Sequence, residues 1–225
     1  IIIGWAQIAS ASDFSEEEIG YDPLESMNRK IYAFNDVLDT FMLAPVSKGY
    51  GYVPDAGKGM VSNFFDNLQM PVTFVNSLLQ GDIDHSAHSF WRFFVNSTIG
   101  IGGVFDVASE FGIPKRKEDF GQTLAAYNVG AGPYLVIPFL GPSSLRDTSG
   151  TLFDNALDPL SMNILQVGGG EDLIDEKIII TQRAFSAVDS RSQLIEVIDD
   201  LRQTSFDFYT TAKSSFVQNR NKQIN

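Results

Sequence analysis

The sequence predicts an all-α protein: a single helical domain interrupted by irregular segments rich in proline and glycine. Apolar residues recur at alternating steps of three and four along much of the chain, which is the period of an amphipathic helix. No convincing run of alternating apolar and polar residues indicates strands, and no fixed-period repeat indicates a solenoid. A length of 225 residues allows one large domain or two small ones, and nothing in it demands two.

The first helix is predicted to begin just after Asp22. Asp22 can cap it, Pro23 suits the first helical position, and Glu25 stands where a capping box needs an acid. Its apolar face, which ends before Pro45, consists of Leu24, Met27, Ile31, Phe34, Leu38 and Phe41.

Two further helices are predicted before Gly81. The first follows a turn at residues 49–54, and we expect Pro71 to break it. Its apolar face consists of Met60, Val61, Phe64, Phe65 and Leu68. A short helix over residues 71–79 comes next, and Gly81 is a plausible C-terminal stop.

Asp82 caps a predicted helix that runs to about Asn96. Arg92 is the only charged residue from Ser89 through Phe105. Large apolar residues point around most of the circumference: Phe90, Trp91, Phe93, Phe94 and Val95. A helix that is apolar nearly all round lies either deep in a core or in lipid.

Residues 120–145 carry no charge. A neutral segment of this length could span a bilayer. Pro133, Pro138 and Pro142 remove amide donors within it, so one continuous transmembrane helix is not expected. Two interpretations stay open: an apolar loop folded into an ordinary core, or a passage embedded in a membrane, where non-helical backbone needs protein or a wet cavity around it.

A dense charge cluster at residues 115–119 separates two neutral stretches. It suits either a solvated loop or an anchor whose cations reach lipid head groups. From Glu171 onward the pattern is that of amphipathic helices, with Asp199 and Asp200 facing outward. The apolar positions there are Leu173, Ile174, Ile178, Leu194, Ile195, Ile198 and Leu201.

The composition excludes several kinds of partner and chemistry. A net charge of −12 disfavours binding to nucleic acid, which depends on neutralising phosphates. The same charge disfavours adsorption to anionic lipid, so membrane contact would rest on apolar area and on the 18 Phe, seven Tyr and two Trp residues. With no cysteine there is no disulfide and no cysteine nucleophile.

The first 11 residues resemble the end of a signal peptide. An apolar run leads to Ala9, Ser10 and Ala11, which match an Ala-x-Ala cleavage site. We therefore expect export and a mature chain that starts at Ser12; the alternative is a short buried N-terminal strand.

His85 and His88, beside Asp82 and Asp84, are the sole candidate cluster for metal or acid–base chemistry. No further ligand motif accompanies them, so a solvated helix start is the simpler interpretation and no metal or other cofactor is expected. The glycine-rich segments lack the spacing of phosphate loops, and no Gly-x-Ser-x-Gly elbow occurs. We expect no enzyme.

Several blocks in series resemble the MlaA (VacJ) family of outer-membrane proteins that maintain phospholipid asymmetry. The likeness covers roughly residues 21–217. The blocks are residues 22–39, 62–68, 90–106, 119–124, 132–147 and 188–194.

The resemblance implies a single ring-like helical domain over residues 12–225, embedded in the outer membrane of a Gram-negative bacterium and pierced by a channel. Its partners would be phospholipids, a trimeric porin and a soluble periplasmic lipid carrier, and its transport would need no covalent chemistry. Residues expected to face lipid are Phe90, Trp91, Phe93, Phe94, Val95, Leu135 and Phe139. Residues expected near the opening are Tyr127, Asn128, Tyr134 and Arg146.

Typical members of the family are lipoproteins whose mature chain begins with an acylated cysteine, whereas this sequence has no cysteine. Either this member dispenses with the acyl anchor, so that its embedded surface holds it in place, or residues 1–9 remain as a hydrophobic tail; we favour the first. Two other hypotheses remain: a periplasmic helical scaffold that binds porin without moving lipid, and a metal hydrolase that uses His85 and His88.

Overall fold

The computed structural model describes residues 21–158 and 176–224 and is mostly helical. The helices are α1 (Glu25–Leu38), α2 (Ala44–Tyr50), α3 (Asp55–Leu79), α4 (Ile83–Thr98), α5 (Val107–Glu110), α6 (Phe120–Ala126), α7 (Leu145–Leu157), α8 (Glu176–Gln193), α9 (Ile195–Thr204) and α10 (Phe208–Ile224). A π-helical segment, Asp39–Leu43, joins α1 to α2. Strands β1 (Tyr134–Ile137) and β2 (Gly141–Ser144) form a hairpin. The predicted helical fold class is confirmed.

The described residues form two compact units. One contains residues 21–52, 130–148 and 186–224, and the other contains residues 53–129, 149–158 and 176–185. We call them the hairpin unit and the α3–α4 unit. The single domain, the ring-like arrangement and the membrane embedding stay predictions. The expected cleavage site and Leu173 and Ile174 lie outside the described residues.

The predicted start of α1 is wrong in detail. Leu24, not Asp22, occupies the N-cap position, and no side chain caps the helix. Asp22 instead accepts hydrogen bonds from Asn28 Nδ2 at 2.8 Å and from the hydroxyl of Tyr209 at 2.5 Å. Lys213 Nζ lies 3.4 Å from the same carboxylate. Asp22 therefore ties the beginning of α1 to α10.

Pro71 does not break the second helix as expected, because α3 continues through it. Proline removes one intrahelical bond at this point. Met70, Val72 and Thr73 on either side of it are buried, and α3 packs along α4. Tertiary packing here outweighs the local cost of proline.

The predicted end of this helix and the start of the next are confirmed. Gly81 has a φ of +77°, the left-handed conformation that glycine adopts most readily. Asp82 caps α4 by accepting the amide of His85 at 3.0 Å.

The hairpin lies in the neutral stretch where no strand was predicted. Antiparallel pairing aligns Tyr134 with Ser144 and Val136 with Pro142. Tyr134 and Val136 form a small buried cluster with Tyr209. Two strands are marginal by themselves, so the packing on α1 and α10 must hold the hairpin in place.

Candidate lipid-contact site

Helix α4 has its polar side buried and its aromatic side exposed. Phe90, Trp91 and Phe94 are 47%, 52% and 50% exposed. Their rings touch one another, with centroids 5.5 to 6.4 Å apart. The buried residues of the helix are His85, Ser86, Ser89, Arg92 and Asn96. Helix α4 is therefore not apolar all round, although the sequence predicted that it would be. It is amphipathic, with its polar residues facing the interior of the protein and its aromatic residues facing outward.

Arg92 is the centre of the buried side of α4 and is only 3% exposed. Its Nη2 donates to both carboxylate oxygens of Asp106 at 2.7 Å, and its Nη1 donates to the carbonyl of Ile113 at 2.6 Å. Asn96 donates to Asp106 at 3.0 Å and accepts the amide of Ala108 at 2.8 Å. Charge and hydrogen bonding thus hold α5 and the loop after it against α4.

A second polar cluster joins α3, α6 and α7 within the α3–α4 unit. Asn76 is fully buried and donates to Asp154 at 2.8 Å. Asp154 accepts the amide of Phe120 at 2.9 Å. Thr123 donates its hydroxyl to Asn76 Oδ1 at 2.9 Å. These helices therefore meet through buried amides and carboxylates as well as through the stacked rings of Phe120 and Phe153.

The charge cluster at residues 115–119 is partly exposed to solvent, as one interpretation predicted, and its cations are paired with carboxylates. Lys115 and Lys117 both donate to Asp66 on α3. Arg116 donates to Asp82 at 2.7 Å and pairs with Glu118 at 2.6 Å. The neighbouring lysines outweigh burial and hold the pKa of Asp66 below its usual value. These ion pairs fix the loop across α3 and the start of α4.

In the hairpin unit, two asparagines of α1 hold the backbone of the hairpin. Asn28, fully buried, donates to the carbonyl of Tyr134 and accepts the amide of Val136, both at 2.9 Å. Asn35, two turns later, donates to the carbonyl of Ile137 at 3.0 Å and accepts the amide of Phe139 at 2.8 Å. Both side chains bind the backbone of β1 and of the turn after it, as a neighbouring strand would.

The π-helical segment of this unit begins at a buried charge network. Asp39 accepts from Arg191 at 2.8 Å and from Arg202 at 3.0 Å. Arg191 is 1% exposed, so its charge depends on such partners. In the same segment Phe41 and Met42 are exposed. In the π-helical segment, Asp39 therefore faces the interior of the unit while Phe41 and Met42 face outward.

Asp207 stands just before α10 and binds Arg29 with two hydrogen bonds, of 3.1 and 2.6 Å. These bonds, which outweigh desolvation, hold the pKa of Asp207 well below its usual value. The folded-state pKa of Asp207 lies below its unfolded-state pKa. The stability that the Arg29 pair contributes is therefore fully present above the unfolded-state pKa, and it is lost as the pH falls from there through the folded-state pKa.

We therefore expect Asp207→Asn to flatten the decline of thermal stability between about pH 5 and pH 2, with a change at neutral pH of about 1 kcal/mol because Asp207 is partly exposed. Melting temperatures measured across that range test this. An unchanged acid slope would show that the Arg29 pair does not contribute to acid stability.

Both units bury many polar side chains and expose large apolar ones, beside small apolar clusters such as that of Tyr134, Val136 and Tyr209. Among the described residues, the largest fully buried side chains are all polar: Arg191, Asn28, Asn76, Thr123, Ser47, Ser77, Ser86 and Ser89. Large apolar side chains are exposed on α1, on the π-helical segment and on α4. In water, so much exposed apolar area is unfavourable and marks a surface that contacts protein or membrane.

The structure places the residues expected to face lipid on the surface or at half-buried positions. Phe139 is exposed at the hairpin tip, as Phe90, Trp91 and Phe94 are on α4. Phe93, Val95 and Leu135 are half-buried. Their contact with lipid stays a prediction.

The residues expected near the opening divide between the two units. Tyr127 is exposed, and its hydroxyl donates to the carbonyl of Leu79 at 2.7 Å. Asn128 follows it, exposed, with a φ of +60°. Tyr134 and Arg146 are buried, and Arg146 Nε lies 3.2 Å from Asp147. Their role at an opening is untested.

His85 is buried and His88 half-buried, with ring centroids 6.5 Å apart. Within residues 21–158 and 176–224, no group of three His, Asp or Glu side chains is placed to hold a metal ion. In the same ranges no helix is both long and apolar enough to cross a bilayer.

The family model described as MlaA lipoprotein matches residues 20–223. The chain belongs to the MlaA lipoprotein family. It is 34% identical over 216 residues to the intermembrane phospholipid transport system lipoprotein MlaA of Escherichia coli, covering 94% of this chain and 81% of that protein. It is 39% identical over 206 residues to an uncharacterised protein of Rickettsia bellii, covering 91% of this chain and 77% of that one.

A solved structure presented as the structural basis for maintenance of bacterial outer membrane lipid asymmetry has the same fold. Its TM-score is 0.76 at 33% sequence identity, and the match covers 91% of this chain and 99% of that chain. The chain therefore has the MlaA fold.

Proposed function

We propose that this member of the MlaA family is a passive phospholipid channel of the outer membrane. It takes phospholipids misplaced in the outer leaflet and passes them to a soluble periplasmic lipid carrier. A trimeric porin is its proposed membrane partner. The E. coli relative is named as a lipoprotein of an intermembrane phospholipid transport system, which supports the substrate class.

The observation that carries the proposal is the inverted polarity of the helices. A phospholipid has a charged head group and two apolar tails, and moving the head group through hydrocarbon without partners costs many kcal/mol. A protein that offers apolar side chains outside and polar side chains inside lowers that cost. We assign Phe90, Trp91 and Phe94 to the acyl chains, since they are exposed on α4.

The proposed transport needs no covalent step. The polar residues assigned to the opening would therefore act only by contacting the head group as it passes. Tyr127 and Asn128 are exposed polar groups next to apolar helix ends and suit a place at the opening in the α3–α4 unit. Tyr134 on β1 and Arg146 at the start of α7 are buried in the hairpin unit and would reach a passing head group only if these segments moved.

The decisive experiment is deletion of the gene in its host, with return of the intact gene as the control. We expect phospholipid to accumulate in the outer leaflet, read by acylation of lipid A or by sensitivity to detergent, and to fall again on complementation. An unchanged outer leaflet after deletion would refute the channel.

One observation favours the alternative of a scaffold that binds porin without moving lipid. Arg92 and Asn76 already bind neighbouring side chains, so the polar interior does not need a ligand to be satisfied. Native mass spectrometry of the purified protein separates the two proposals: a channel should retain phospholipid, and a scaffold should carry none.

The assignment of α4 to lipid gives a mutational prediction. Phe90→Ser, Trp91→Ser and Phe94→Ser together should leave the helical circular dichroism intact but shift much of the protein from the membrane fraction to the soluble fraction. Each ring contributes about 1–2 kcal/mol of transfer free energy in lipid.

A matched control replaces three exposed polar residues of α9, Glu196, Asp200 and Gln203, with serine and should leave membrane retention unchanged. If the aromatic variant stays in the membrane fraction as completely as the control, α4 is not a principal lipid contact.

A further inference from the structure

The loop that joins α4 to α5 is packed tightly against α3. A Cβ at Gly100 would lie 2.2 Å from the carbonyl oxygen of Phe105, and one at Gly103 would lie 2.5 Å from Cβ of Asn67. Asn67 also donates to Ser97 Oγ at 2.9 Å. Only glycine fits at these two approaches. The glycines here make a close fit rather than a flexible hinge.

Six of the seven backbone amides of this loop are hydrogen-bonded within the loop and the end of α4; the amide of Ile101 is the exception. The amides of residues 99, 100, 102, 103, 104 and 105 all donate to carbonyls of residues 95–101. The side chains from Ile99 to Phe105 carry no hydrogen-bonding group. Non-helical backbone enters a medium without water only when its amides are paired within the protein. Although this loop lies at the surface, it meets that condition at every amide except that of Ile101.

Ile101 is held in an unfavourable backbone conformation at the tip of the loop. Its φ is +54°, a left-handed conformation that is unfavourable for a β-branched residue. Its side chain is 69% exposed and that of Ile99 is 60% exposed, so burial within the chain does not offset the cost. Phe139, also at positive φ, differs because its ring packs on Phe34 with centroids 5.4 Å apart.

We propose that residues 99–105 form a rigid apolar tip that places Ile99 and Ile101 among the acyl chains of the bilayer. The tip continues the exposed aromatic face of α4, and no charged residue occurs from Phe93 to Phe105. From Phe93 to Phe105, Thr98 is the only exposed polar side chain, so a protein partner would find little of the polar rim that protein interfaces normally have. The inference rests on the proposed location of the protein in the outer membrane.

The absence of cysteine from the sequence allows one site to be labelled at a time. Ile101→Cys and, as a water-facing control, Asp84→Cys on α4 are each labelled with an environment-sensitive nitrobenzoxadiazole dye. The full chain is reconstituted in vesicles of phosphatidylethanolamine and phosphatidylglycerol. We expect acyl-chain nitroxides to quench the dye at position 101, and iodide in the water to quench it several-fold less than the dye at position 84.

Equal iodide quenching at both positions would overturn the proposal. Shielding at position 101 that develops only when a trimeric porin is added would also overturn it, in favour of a protein contact. Lipid transfer is measured in the same vesicles, so a water-exposed tip with intact transfer would sink this inference and leave the proposed channel standing.

A second variant tests the backbone argument separately. Ile101→Gly relieves the positive φ and removes an exposed side chain, so the melting temperature in detergent should rise or stay the same. A clear fall would mean that the isoleucine packs inside the protein and is not a lipid-facing tip.

Discussion

Replacing Arg92 by methionine will destabilise the protein by about 3–5 kcal/mol. Methionine fills much of the same volume but leaves the carboxylate of Asp106 without the Nη2 donor that its two oxygens share, and the carbonyl of Ile113 without its donor. Arg92 is almost completely buried, so water does not readily take its place. Chemical denaturation of the purified protein in detergent, followed by circular dichroism, measures the loss.

The matched control is Arg183→Met in the same unit. Arg183 is exposed and donates one hydrogen bond to Asn155 at 3.1 Å, so we expect a change below about 1 kcal/mol. If both substitutions had equally small effects, the ion pair between Arg92 and Asp106 would not hold α4 to α5. The inverted helix would then depend on other contacts.

The sequence predicted the helices well but did not predict which side of α4 is buried. The polar residues at 85, 86, 89, 92 and 96 recur at helical spacing as regularly as the aromatic residues do. Periodicity shows that a helix has two faces. Whether the polar or the apolar face of a helix is buried depends on what surrounds the helix. A single sequence does not specify those surroundings. The sequence therefore shows Arg92 as an isolated charge and does not reveal that it is buried and paired with Asp106.

Local rules failed where distant packing decided the outcome. Pro71 was expected to end a helix, yet buried neighbours keep α3 continuous. No local pattern predicts the hairpin, because its strands are only four residues long and lie in a stretch rich in proline and glycine. By contrast, Gly81 and Asp82 were correctly assigned, since capping depends on neighbours within a few residues.

The two asparagines that hold the hairpin were present in a block of family resemblance but had no predicted role. Asn28 and Tyr134 are 106 positions apart in the chain. Within α1, an asparagine is merely a weak helix former. Its value arises from backbone groups that only the folded chain brings near, so a single sequence carries no local signal for it.

Asn28→Ala is therefore expected to cost about 3 kcal/mol, because it leaves the amide of Val136 and the carbonyl of Tyr134 unpaired in a buried place. It also removes one donor from Asp22. The free energy of unfolding should fall, and the amide of Val136 should exchange with deuterium much faster than in the unaltered protein.

Asn35→Ala provides the internal comparison, because Asn35 makes the same pair of bonds to the hairpin from a half-buried position. Water can replace its side chain, so we expect a loss of about 1 kcal/mol and faster exchange confined to Phe139. Equal losses for both substitutions would show that burial does not set the strength of these bonds. Faster exchange across the whole hairpin in both variants would show instead that the hairpin detaches from α1 as one piece, with the two asparagines acting as a single clasp.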